Sequence, residues 1–81
     1  MLSLTEAQDI VQASAPNDYY RNVYRPAENT YLPRLCAWLE GFPPGRSVDV
    51  GPGWGTMLTW LTARGWRADC VDLMPPGHWI P

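Results

Sequence analysis

The sequence predicts an α/β fold, and three observations within one stretch carry that prediction. Ser47 to Val50 is a short apolar run holding a single carboxylate, Asp49. Gly51-Pro52-Gly53-Trp54-Gly55 is a glycine-rich turn, and Thr56 to Arg64 follows with apolar residues at helical spacing until Gly65 closes the helix. Trp66 to Asp72 then reads as a second short strand ending in an acid. Strand, glycine turn, helix, strand is the order of a βαβ unit in a nucleotide-binding α/β domain.

The glycines have distinct expected roles: a sharp turn at Gly51, close approach of a ligand to bare backbone at Gly53, and close helix–strand packing at Gly55. The backbone N–H groups of Gly55 to Met57 lack helical partners and favour an anionic group beside the positive end of the helix dipole. Asp72 lies about twenty residues beyond Gly51, the distance at which a strand-end carboxylate accepts hydrogen bonds from ribose hydroxyls. Apolar Cys70, Val71, Leu73 and Met74 bracket it, which argues against a merely solvated acid.

The dinucleotide fingerprint G-x-G-x-x-G needs glycine where this chain has Thr56, and the third glycine comes one step early at Gly55. VDVGPGWG followed by VDL instead resembles the first two motifs of class I S-adenosylmethionine-dependent methyltransferases. The resemblance implies a Rossmann-like three-layer fold, of which the first βαβ unit and the preceding helices fall in these residues. It implies a cofactor site in which Asp49, Gly51, Pro52, Gly53 and Gly55 hold the methionine end. Asp72 would bind the ribose, and Leu73 and Met74 would line the adenine. A sulfonium and an ammonium suit a loop bordered by acids, where the phosphates of a dinucleotide would be repelled. The residues that activate a methyl acceptor belong to later strands in that family, so the catalytic residues and the acceptor are unassigned. Residues 1–81 alone are not expected to catalyse methyl transfer, and their unpaired sheet edges invite self-association. The rival readings are a nicotinamide or flavin oxidoreductase fragment and a non-catalytic remnant or interaction module.

Composition narrows the classes. With 81 residues the chain holds one small domain at most. The net charge of -2 gives no basic patch for nucleic acid, and all six basic residues are arginines. Cys36 and Cys70 make no disulfide framework and read as reduced core thiols, and the single histidine, His78, makes no metal cluster. No signal peptide or membrane-spanning run is visible, so the expected compartment is the cytoplasm.

Residues 1–29 read as an amino-terminal helical and aromatic cap, and 30–81 as the first part of the cofactor-binding domain. Ser3-Leu4-Thr5-Glu6 is a capping box that opens a helix to about Ala13, with Leu4, Ala7, Ile10 and Val11 along one side. Tyr19, Tyr20 and Tyr24 with Arg21 and Arg25 suit either a cover over a sulfonium or ordinary aromatic packing, and packing is favoured. Thr30 is expected to cap a helix from Tyr31 to Glu40, with Leu32, Leu35, Cys36 and Leu39 as its core stripe. Trp54, Leu58 and Leu61 are expected on one side of the helix after the glycine turn. Ala68, Cys70 and Val71 suit a strand covered on both faces, with Asp69 near an open face.

Overall fold

The computed structural model describes residues 1–15, 18–51 and 53–71. Helix α1 (Leu4–Ser14) starts at the capping box: Glu6 N–H donates to Ser3 Oγ at 3.1 Å, and Ser3 N–H donates to Glu6 Oε1 at 2.9 Å. Its buried face differs from the expected stripe. Ala7 and Val11 are buried, but Ile10 is half exposed and Gln8 lies inside at 2% exposure. The cause is a pair of hydrogen bonds from the Gln8 amide to Glu28 Oε1 and Asn29 Oδ1, at 3.3 and 2.9 Å.

The tyrosine segment is helical. A π turn (Tyr20–Tyr24) runs directly into α2 (Arg25–Glu28), and Arg25 N–H donates five residues back to Tyr20 O. Pro26 explains the register. Proline has no N–H for the carbonyl four residues earlier and its ring crowds that carbonyl, so the preceding turn widens. A wider turn also places Tyr20 and Tyr24 on one side, with ring centroids 6.0 Å apart.

Helix α3 (Leu32–Leu39) is shorter than expected and is not capped by Thr30. Thr30 Oγ1 donates instead to Ala27 O at 2.6 Å, so this threonine finishes α2 rather than opening α3. The apolar stripe is where the spacing puts it: Leu32 and Cys36 are buried, and Leu35 and Leu39 pack against the core.

Strands β1 (Arg46–Val50) and β2 (Arg67–Val71) pair in parallel, Arg46 opposite Arg67 through Val50 opposite Val71. Helix α4 (Thr56–Ala63) crosses between them. The result is a mixed α/β unit: a two-stranded parallel sheet with α3 and α4 beside it. Gly65, at φ +85°, ends α4 in the left-handed conformation, and Trp66 N–H reaches back to Leu61 O at 3.1 Å.

Among the described residues only one face of the sheet is covered. Ser47, Asp49, Ala68 and Cys70 point inward, while Val48, Val50 and Val71 are 59–78% exposed on the other side. Val71 is therefore not the doubly covered strand residue its sequence suggested, whereas Asp69 does stand on the open face. The alternation follows from the two-residue period of the strand.

The core gathers Ala7, Leu32, Cys36, Met57, Trp60 and Leu61. Trp54 is not part of the α4 stripe. Trp60, at 1% exposure, is the largest side chain of the core. Arg64 lies 3.7 Å over its ring, donates to Leu2 O at 2.6 Å and pairs with Glu40 at 3.2 Å. One guanidinium thus ties the start of α1 and the end of α3 to the last turn of α4.

Candidate functional site

The carboxyl ends of the two strands meet at the glycine turn. Gly51 N–H donates to Val71 O at 2.7 Å, carrying the pairing one step past β1. Gly51, Gly53 and Gly55 all have positive φ, and Gly55 is the N-cap of α4. Pro52, Asp72, Leu73 and Met74, expected at the same site, lie outside the described residues, as does His78.

Gly53 is where the absence of a side chain matters most. A Cβ there would collide with the hydroxyl of Tyr24 and sit 2.5 Å from its ring carbon Cζ. The close approach expected of a ligand is made here by a tyrosine from the π turn. The rings of Tyr20 and Tyr24 both meet Trp54 edge-on, at 6.2 and 6.4 Å. Tyr20 itself is fully buried and packs, as the sequence favoured, whereas Tyr24 borders open space.

That space is a cleft of about 250 Å³ between β1 and the helices α2, α3 and α4. Asp49 and Gly51 line it together, with Ser47, Tyr24, Glu28 and Tyr31. Leu35, Leu39, Met57 and Leu61 supply apolar walls; Gly53 and Gly55 do not line it.

Glu28, at 3% exposure, is the hub of the polar wall. Tyr20 OH donates to its Oε1 at 2.6 Å, Thr56 OH at 3.1 Å and the Gln8 amide at 3.3 Å. Tyr20 OH and Thr56 Oγ1 are also 3.0 Å apart. Each hydroxyl has one proton, so when both donate to Glu28 this last contact carries none. Burial, and then the hydrogen bond to Glu28, raise the Tyr20 phenol above the ordinary tyrosine range. The network locks the first residue of α4 to α1 and α2, and so fixes the glycine turn against the amino-terminal helices.

Asp49 has the opposite situation. No donor reaches its carboxylate among the described residues, and burial alone raises its pKa. Between the ordinary and the raised value the folded chain holds more protons than the unfolded chain. Stability therefore falls as pH rises through that window, and the penalty is fully present above it. Asp49→Asn is expected to raise the melting temperature at pH 7 and to leave it unchanged below the ordinary aspartate range. Equal effects of the substitution at pH 7 and pH 3, read by thermal unfolding, would show that the carboxylate carries no burial penalty.

Cys36 is a buried thiol donating to Met57 Sδ at 3.8 Å, and burial pushes it up to about 11, so it stays protonated near neutral pH. Among the described residues no group of three His, Cys, Asp or Glu gathers to hold a metal, and no helix is long and apolar enough to cross a membrane.

Of the residues singled out from the sequence, Asp49 and Gly51 line the cleft and Gly53 and Gly55 do not, while Glu28, Ser47, Thr56 and Gln8 were missed. The available signal was Pro26 beside Glu28: a proline marks a helix start as readily as a break. A scan against protein-family models, a search of curated proteins and a search of solved structures return no match for this chain.

Proposed function

We propose that this chain is a Rossmann-like, S-adenosylmethionine-binding unit of the class I methyltransferase kind, acting on an unassigned acceptor. One observation carries the reading. At the carboxyl end of β1 a partly buried carboxylate, Asp49, stands without a donor beside three left-handed glycines that lead into α4. Stability alone disfavours an acid there, and sites of that kind are where function is found. A cationic ligand relieves the penalty and a pyrophosphate aggravates it, which favours an S-adenosyl compound over a dinucleotide. In this reading the methionine end lies against Asp49 and the glycine turn, with the adenosine toward Asp72, Leu73 and Met74. Its approach over Gly53 requires Tyr24 to move. A cytoplasmic location accompanies the reading.

Titration calorimetry tests it. S-Adenosylhomocysteine is expected to bind more tightly than NAD, and Asp72→Ala is expected to weaken that binding by about 2–4 kcal/mol through two lost charge-assisted hydrogen bonds. Equal affinity of the wild type and the Asp72 variant would remove the ribose assignment. Tighter binding of NAD would move the reading to an oxidoreductase.

The uncovered sheet face, with Val48, Val50 and Val71, favours a second reading as an interaction module. A chain that self-associates through this face and ignores S-adenosylhomocysteine would support it.

A further inference from the structure

The polar groups lining the cleft between β1 and α3 are incompletely paired. The three hydrogen bonds described to the Glu28 carboxylate all end on Oε1, and Oε2 receives none of them. Glu28 is nonetheless 97% removed from solvent, being 3% exposed, and lines the cleft. Ser47 Oγ is buried with no partner, and the Asp49 carboxylate has no donor among the described residues. Ser47 and Asp49 lie two residues apart on the same face of β1, about 6.6 Å along the strand. A donor group seated between them reaches both. Among the described residues no arginine, lysine or histidine lines the cleft.

We propose that this cleft is a binding site for a primary alkylammonium ion, its nitrogen held by Asp49 and Ser47 in the field of Glu28 and its carbon chain against Leu35, Leu39 and Leu61. The chemistry is selective in three ways. An ammonium has three donors and no acceptor, which matches the unpartnered Ser47 Oγ and the Asp49 carboxylate that no described donor reaches. Buried polar atoms without partners are costly, so the occupant that supplies donors is strongly preferred to an alkane or an alcohol of the same shape. Tyr24 and Tyr31 also line the cleft, and aromatic rings attract a cation. A carboxylate is disfavoured by Asp49 and Glu28, which line the same cleft. The cleft volume of about 250 Å³ equals the space of roughly eight waters, ample for an amine of five carbons. The site shares Asp49 and Gly51 with the cofactor reading but does not rest on it, and it differs in extent, because the cleft does not reach Gly53 or Gly55.

The test is a two-dimensional amide NMR titration of the whole chain at pH 7 with pentylammonium, pentan-1-ol and pentanoate. Pentylammonium is expected to give saturable shifts at Leu35, Ser47, Asp49 and Gly51, with affinity at least tenfold above pentan-1-ol and no binding of pentanoate. Asp49→Asn is expected to weaken pentylammonium binding about tenfold while leaving pentan-1-ol unchanged, and Ser47→Ala to weaken it by a smaller factor. Both variants leave the Glu28 hub intact, so the folded spectrum should persist. Equal affinity for the alcohol and the ammonium, shifts confined to other residues, or no saturation would each overturn the proposal. S-Adenosylhomocysteine added to the same samples separates the two sites. Its shifts at Gly53 and Gly55 with no response to the amine would overturn the amine site alone.

Discussion

Glu28→Ala is expected to cost about 3–5 kcal/mol of folding stability, the amount lost when one member of a buried charged network is removed. A chain of this size has roughly 4–12 kcal/mol in total, so the variant is largely unfolded under mild denaturant. The loss comes from what is left behind. Tyr20 OH, Thr56 OH and the Gln8 amide would all be buried without their shared acceptor. Glu28→Gln keeps an acceptor and should cost less. Thr56→Val removes one spoke and should cost about 1–2 kcal/mol. Urea unfolding followed by circular dichroism ranks the three. A Glu28→Ala midpoint within experimental error of wild type would show that the hub is not a source of stability.

Gly53→Ala is expected to cost about 2–5 kcal/mol, from two separable causes. Placing a Cβ at φ +62° costs about 1–2 kcal/mol whatever the surroundings. Overlap with the Tyr24 hydroxyl adds about 1–3 kcal/mol, typical of forcing extra atoms into a packed site. Tyr24→Ala removes the second cause only. The double variant should therefore be more stable than the sum of the single losses implies, by about 1–3 kcal/mol. Strict additivity would mean that Tyr24 does not pack on Gly53 in solution. The cycle also bears on ligand binding. If Gly53 is needed for a ligand to approach, the double variant regains stability without regaining affinity for S-adenosylhomocysteine.

The elements that were legible in the sequence are those whose signal is local. The capping box at Ser3 and Glu6, the stripe Leu32-Leu35-Cys36-Leu39, the glycine turn and the stop at Gly65 each follow from backbone chemistry within a few residues. What failed depends on partners distant in the chain. Gln8 displaces Ile10 from the inner side of α1 because its amide finds Glu28 twenty residues later. Thr30 bonds backward rather than forward: its hydroxyl joins its own backbone N–H on Ala27 O at the end of α2. The helix carrying Glu28 was unreadable because Pro26 and three tyrosines resemble a loop, and the π register that accommodates them has no sequence period of its own. The one-sided sheet could not be read from Ala68 to Val71, since small apolar residues suit either a covered or a bare face. Of the residues lining the cleft, Asp49 and Gly51 belong to the motif that was legible. The carboxylate hub arises only where α1, α2 and α4 converge, and the cleft only where β1 faces α2, α3 and α4.

The central claim is that the turn from Gly51 to Gly55 receives an S-adenosyl ligand. The most direct measurement is an amide NMR titration of the full chain with S-adenosylhomocysteine, using NAD as the comparator. The expected result is saturable shifts at Gly51, Gly53, Gly55, Thr56 and Asp72, with a line-shape change at Val23 and Arg25 as the neighbouring Tyr24 moves off the turn. Unmoved glycine amides at saturating S-adenosylhomocysteine, or larger shifts there with NAD, would contradict it.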